Sequence, residues 1–183
     1  MRTIDRLLQG ARIRICLPYI SGCPRVVDVG AHQGELFQAL GDRLARGHGI
    51  EPRAQTPVAR DRYVIEPGFF PQVTPDGPGS WDAVTLLAVL EHIPAMNQKA
   101  VAQACFTLLR PGGRVVITVP SPAVDRILAV LKALRLIDGM SLEEHHGFRP
   151  DDTTRIFSAP QFSLVCRRSF QLGLNNLFVF EKR

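Results

Sequence analysis

The residues best placed for chemistry lie in Val26-Val27-Asp28-Val29-Gly30-Ala31-His32-Gln33-Gly34-Glu35, where a short apolar strand pattern gives way to a helical one. Glycine at a strand-to-helix turn lets a ligand approach the backbone closely, and the helix N-terminus adds a positive end. A pyrophosphate-bearing dinucleotide asks for G-x-G-x-x-G at such a turn. The spacing here is instead Asp28-x-Gly30-x-x-x-Gly34. A leading carboxylate is poorly suited to a phosphate and well suited to a cationic amino group. A nucleoside that carries positive charge and no phosphate is the ligand this pattern favours.

Glu51 stands roughly 20 residues beyond the glycine turn, where an acid in nucleotide-binding α/β folds accepts hydrogen bonds from ribose hydroxyls. S-adenosyl-L-methionine combines such a ribose with an ammonium and a sulfonium, so Asp28 and Glu51 together favour it as cofactor. His32, inside the turn, has two readings: contact with the carboxylate end of that cofactor, or a solvent-facing side chain. Glu91-His92 invites a metal hypothesis with His146, but the set is scattered and predicts no metal site. Glu143-Glu144-His145-His146 follows the last long helical segment; His146, then His145, are the candidate bases for a hydroxyl proton, since imidazole titrates near neutrality.

These residues must be held by elements that the apolar periodicity outlines. Thr3 to Ile15 reads as a helix, Val26–Val29 as a buried strand, and Glu35 to Arg46 as a helix with Leu36, Phe37, Leu40 and Leu44 on one stripe. Gly47 suits the position after that helix. Strands are expected near Gly49–Glu51, Tyr63–Glu66, Asp82–Leu87 and Val115–Val119. A loop is expected from Pro67 to Ser80, and helices over Met96–Leu109 and Val124 to Ile137. The 52–62 connection is too short for an ordinary crossover helix. Phe162–Phe170 and Leu177–Phe180 flank Gly173-Leu174-Asn175-Asn176, and two strands so close pair antiparallel.

In this order the segments resemble the class I S-adenosylmethionine-dependent methyltransferase family. Trp81 to Pro94 looks like the family's fourth strand and following turn, Leu109 to Ile117 like the next helix-turn-strand, and the terminal hairpin like its antiparallel seventh strand. The resemblance runs from about Arg25 onward. It implies an α/β, Rossmann-like seven-stranded mixed sheet of order 3-2-1-4-5-7-6 with helices on both faces, in one domain spanning residues 1–183. It also implies that Asp28, Gly30 and Gly34 surround the methionine moiety, that Glu51 holds the ribose, and that Leu87 and Ala88 line the pocket. Gly68-Phe69 replaces the acidic pair that often reads adenine, so Phe69 is expected to stack on the ring while a backbone carbonyl meets its amino group.

Methyl transfer needs alignment of donor and acceptor, plus a base when the acceptor is a hydroxyl. The chain lacks the Asn/Asp-Pro-Pro-aromatic turn of amino-directed nucleic-acid methyltransferases, and Ala88-Val89-Leu90 stands there instead. A small-molecule, glycan or lipid-linked acceptor methylated at oxygen is expected. A non-catalytic cofactor-binding module and a nucleic-acid methyltransferase are the rival readings. Net charge of +5, dispersed over many arginines, gives no basic patch. No apolar run is long enough for a transmembrane segment, although the 124–137 helix could touch a membrane surface. Four scattered cysteines and no secretory signal pattern predict a cytoplasmic location.

Overall fold

The computed structural model describes residues 3–121 and 148–183, with side chains from residue 6 onward. Helix α1 (Thr3–Ile20) leads into β1 (Arg25–Val29), α2 (Glu35–Leu40), β2 (Arg46–Glu51), β3 (Val58–Ala59), β4 (Tyr63–Pro67) and β5 (Trp81–Leu87). Helix α3 (Ala95–Leu108), β6 (Leu109–Pro120), the short α4 (Asp152–Ile156) and the hairpin β7 (Phe162–Phe170) and β8 (Asn175–Lys182) follow. The expected helix at 124–137 and the candidate bases His145 and His146 lie outside the described residues. No described helix is long and apolar enough to cross a membrane.

The strands form one sheet in the order β3-β4-β2-β1-β5-β6-β8-β7. Six of the seven principal strands run parallel, and β8 inserts antiparallel between β6 and β7. The expected order is therefore present, with one addition: the sheet has eight strands, because Val58 and Ala59 pair antiparallel with Ile65 and Val64. The cause is the short 52–62 connection. Having no helix there, the chain doubles back along the open edge of β4.

Both faces of the sheet are covered. One carries α1 and α2 through Ile13, Cys16, Ile20, Leu36, Phe37 and Leu40 against Val26, Ala83, Val116, Leu177 and Val179. The other carries α3 through Val101, Ala102, Cys105 and Leu108, with Phe157 after α4, against Val27, Val84, Ile117, Phe178 and Phe180. The alternation of these residues along β1, β5, β6 and β8 is the period-2 signature of strands buried on both sides. At the amino ends of β1 and β5, the buried Asp82 receives the guanidinium groups of Arg25 (3.1 Å) and Arg110 (2.6 Å). Burial would push that carboxyl's pKa up, but these hydrogen bonds outweigh it and hold it below its ordinary range.

Local boundaries differ from the sequence expectation for packing reasons. Helix α1 runs on past Ile15 because Cys16 and Ile20 prolong its buried stripe, while Pro18 sits on the exposed side. Helix α2 stops at Leu40, and a 3-10 turn, Gly41–Arg43, carries Leu44 into the core without a helix. Gly41, not Gly47, follows the helix. Gly47 belongs to β2, where a Cβ would lie 2.7 Å from the Tyr63 Cβ and 3.0 Å from the Phe37 ring. Gly47→Ala is expected to destabilise the protein by about 1–3 kcal/mol, the usual cost of forcing a methyl into a filled core. Gly22→Ala, whose Cβ meets nothing within 4 Å, should stay within about 0.5 kcal/mol of the parent. Urea unfolding midpoints compare the two.

Candidate functional site

The parallel strands β2, β1 and β5 end side by side, and the chain leaves each through a constrained turn. Gly30 (φ 78°) and His32 (φ 46°) both occupy left-handed backbone after β1, as does Ala88 (φ 59°) after β5. Left-handed geometry is uncommon for residues with a Cβ and clusters at functional sites. A Cβ on Gly30 would meet the Val89 Cγ2 at 2.6 Å, so the loops after β1 and β5 approach each other closely only with glycine there. The Gly30 amide donates to the Ile50 carbonyl (2.8 Å) and the Ala88 amide to the Thr118 carbonyl (2.9 Å). Each loop is thus tied to the end of a neighbouring strand.

Over these strand ends lies a cavity of about 810 Å³, in the upper part of the ~300–1,000 Å³ range of small-molecule sites. Seven of the nine expected cofactor residues line it: Asp28, Gly30, His32, Glu51, Phe69, Leu87 and Ala88. The other two stand behind the loops. Gly34 begins α2 in left-handed backbone with its α-carbon turned to the Tyr63 ring, and Gly68 packs against Val73. Neither glycine lines the cavity, although both were expected among the cofactor residues.

Three carboxylates crowd one end of the cavity. Asp28 is nearly buried and accepts a hydrogen bond from the Thr85 hydroxyl at 2.5 Å. Burial pushes its pKa up to about 7; Thr85 opposes the rise, while the charges of Glu35 and Glu51 reinforce it. Glu51 accepts the His32 amide on one oxygen (2.8 Å) and the Arg53 amide on the other (2.9 Å). Each oxygen of an ionised carboxylate retains further acceptor capacity for a ligand hydroxyl. Glu35 accepts from the Gln33 amide (3.1 Å) and meets His32 Nδ1 at 2.8 Å. His32 is therefore held by Glu35 rather than turned freely to solvent.

The remaining walls divide by polarity. Leu36, Leu87, Ala88, Val89 and Ile13 are apolar, while Gln9 and Arg12 come from α1 and Arg53 from the loop after β2. Phe69 is 67% exposed at the cavity edge, whereas its neighbour Phe70 is buried in the core. Glu91 and His92 sit on one 3-10 turn, Leu90–His92, yet in different surroundings: Glu91 is buried, and His92 is exposed and lines the cavity. Among the described residues, no three His, Cys, Asp or Glu converge as a metal-holding set.

Thr85, Gln9 and Arg12 are contributions that local sequence motifs miss. Thr85 reaches Asp28 because β1 and β5 pair in register at those two residues, which no local pattern reports. Arg12 looks like any helix-surface arginine until α1 is laid over the sheet.

A parallel sheet whose acidic glycine turn opens on a cavity across the ends of β1 and β5 defines a Rossmann-like site for a cationic nucleoside, at the crevice where such folds bind ligands. The fold is shared with solved methyltransferases. Magnesium protoporphyrin IX methyltransferase from Synechocystis PCC 6803, solved with bound SAH, aligns over 100% of this chain and 89% of its own, with a TM-score of 0.70 and 16% identity. The 1,6-didemethyltoxoflavin-N1-methyltransferase of Burkholderia thailandensis, solved with S-adenosylhomocysteine, covers 98% of this chain and 80% of its own, with a TM-score of 0.68 and 17% identity. Residues 2–167 match the family model described as a methyltransferase domain. The chain belongs to that family, the class I S-adenosylmethionine-dependent methyltransferases.

Among curated relatives, the chain is 33% identical over 118 residues to a ubiquinone biosynthesis O-methyltransferase of Ralstonia nicotianae, covering 60% of this chain and 49% of that protein. It is 31% identical over 134 residues to the Chromobacterium violaceum enzyme of the same name, covering 68% and 57%. The chain thus spans about half the length of the curated relatives it matches.

S-adenosylmethionine is the cofactor of the family, and the lining fits a ligand with a cationic end: the carboxylates of Asp28, Glu35 and Glu51 all border the cavity. Asp28 attracts a cation only when ionised, and its pKa is raised to about 7; a cofactor ammonium seated against it would therefore bind with an affinity that falls as pH drops through 7. The limiting slope is roughly tenfold per pH unit for one proton. Thr85→Val removes the hydrogen bond that opposes the rise, so the fall should begin at higher pH; Asp28→Asn should bind weakly with a flat profile. Calorimetric titration with S-adenosylhomocysteine from pH 5.5 to 8.5 reads all three.

Proposed function

We propose that this protein transfers a methyl group from S-adenosylmethionine to a hydroxyl oxygen of a small ring-bearing molecule. The observation that carries the reading is the mixed lining of the cavity. Carboxylates come to it from β1, β2 and the start of α2, and apolar Leu87, Ala88 and Val89 from the end of β5 and the loop after it. The volume is generous for one nucleoside and suits a nucleoside plus a second small molecule. Oxygen as the accepting atom is supported by the names of the curated relatives, which are O-methyltransferases. A ring-bearing acceptor is supported by the cyclic compounds named for the two structural neighbours.

The bound cofactor supplies a methyl group on a positively charged sulfur, ready for displacement. The chain's part is to bind, orient and dry the site. Asp28 accepts the ammonium, and the spare acceptor capacity of Glu51 takes the ribose hydroxyls. Phe69 lies open at the cavity edge as a stacking surface for adenine. Arg12 and Gln9 approach from α1 as partners for the cofactor carboxylate, with His32 beside them on the glycine turn. Alignment of this kind supplies much of the acceleration of a displacement reaction.

The test is a binding measurement followed by an acceptor screen. S-adenosylmethionine should bind at micromolar concentration, and Glu51→Gln should weaken it about 10–100-fold, as for loss of charge-assisted hydrogen bonds. Thermal unfolding of the same variant reports how much of the loss belongs to the loops that Glu51 ties. Methyl transfer is then assayed with hydroxylated aromatics, sugars and transfer RNA. Turnover of the aromatics supports the proposal; binding without transfer to any of them marks a non-catalytic module, and transfer to RNA alone refutes the small-molecule reading.

A further inference from the structure

The glycine turn holds a pair of side chains that act on each other directly. His32 Nδ1 meets Glu35 Oε1 at 2.8 Å, and the other Glu35 oxygen accepts the Gln33 amide at 3.1 Å. The His32 backbone is left-handed (φ 46°), and its amide donates to Glu51 at 2.8 Å. The residue is therefore held twice, its backbone by the acid that ends β2 and its ring by the acid that begins α2.

This pair stands where two cavities adjoin. A second cavity of about 370 Å³ lies between α1 and the start of α2. Gln9, Ile13, His32 and Glu35 line both cavities, whereas Arg6 and Gln33 line only the smaller. Asp28 is near enough for the charge of Glu35 to help raise its pKa. Burial and the Thr85 hydroxyl already occupy one side of Asp28, which leaves it a confined acceptor for a cation.

We propose that His32 Nε2 accepts a hydrogen bond from the cofactor's ammonium, and that Glu35 is the positioning residue that sets the tautomer and orientation of the ring. This rests on the cofactor reading given above. An ionised carboxylate accepts and cannot donate, so Nδ1 gives its hydrogen to Glu35. The bond made at one ring nitrogen fixes the role of the other, and in the neutral ring Nε2 is left with a lone pair. An ammonium has three N–H groups to place, more than one confined carboxylate satisfies. His32 shares the cavity lining with Arg12 and Gln9, but they can donate to the cofactor's carboxylate, whereas its remaining ring atom offers an acceptor. The charges nearby agree: an anion brought against His32 would meet Glu35 directly and Asp28 and Glu51 across the same cavity.

The test is calorimetric titration of the full chain with three ligands: S-adenosylhomocysteine, its analogue without the amino group, and its analogue without the carboxylate. Working at pH 8 keeps Asp28, with its pKa of about 7, mostly ionised. His32→Asn keeps a residue that tolerates left-handed backbone but lacks the reach of the ring. It should weaken the two ligands that carry an ammonium about 10-fold, the scale of a hydrogen bond to a charged group, and leave the deamino analogue within about twofold. Glu35→Ala should show the same selectivity at about 3–10-fold, and it reads the same ratio should His32→Asn fail to fold. In the double variant the two losses should not add, since Glu35 acts through His32. Equal losses for all three ligands would mark a merely structural role and overturn the proposal. Losses confined to the two ligands that keep the carboxylate, unchanged affinities, or full additivity would overturn it as well. A parent protein that binds none of the three would instead overturn the cofactor reading beneath it.

Discussion

The geometry of the cavity hangs on one carboxylate. Glu51 ends β2 with its side chain buried, and its two oxygens accept amides from the loops after β1 and β2. Its own carbonyl accepts the Ala54 amide (3.2 Å) and, at 3.4 Å, the Gly68 amide from the loop after β4. Three loops that share no sequence neighbourhood are referenced to this residue. A buried acid is costly unless it is hydrogen-bonded, and here the backbone amides provide that compensation. The same arrangement leaves acceptor capacity facing the cavity, so the group that fixes the loops is also one a ribose can meet. Structure and recognition are hard to separate at such a position.

A second constraint operates beside it. Asp28 lies deep enough that its negative charge is only partly maintained near neutral pH, and the Thr85 hydroxyl donates to it from β5. Two further acids close by make the pocket electrostatically unwelcoming to anions. A cationic ligand would relieve this crowding as it binds. Left-handed backbone at His32 and Ala88 points the same way: the fold tolerates local strain where loops must turn tightly over the strand ends.

Much of this was legible in the sequence because the informative residues are local. The strand-turn-helix around Asp28, the acid at Glu51 and the paired strands before and after Gly173 each declare themselves within a few residues. Through the family resemblance these segments carry came the strand order and several residues of the cavity lining, and the alternation of strand-like and helical runs gave the two-faced helix cover. What escaped depends on contacts between distant segments. Gly47 reads like a helix terminator, yet it is glycine because Tyr63 and Phe37 leave no room for a methyl. Leu44 continues a helical stripe by spacing but enters the core from a 3-10 turn. The edge strand Val58–Ala59 is too short to announce itself, and Thr85 is an ordinary strand residue until its register with Asp28 is known. Gly34 carries the glycine motif's spacing, while its reason for being glycine is the Tyr63 ring.

The insertion of β8 between β6 and β7, and of β1 between β2 and β5, has a kinetic meaning. The β7–β8 hairpin and the small β3–β4 pair can form by local zippering. The β1–β5 pairing must instead bring together residues 57 positions apart, as the bond from Thr85 to Asp28 shows. Sheets dominated by such non-local pairings fold slowly, because loop closure is paid for before the contacts that reward it exist. The ligand cavity straddles that non-local seam. Partly folded chains, even those with the hairpin in place, therefore lack a pocket altogether, and ligand affinity in this protein is a property of the completed sheet.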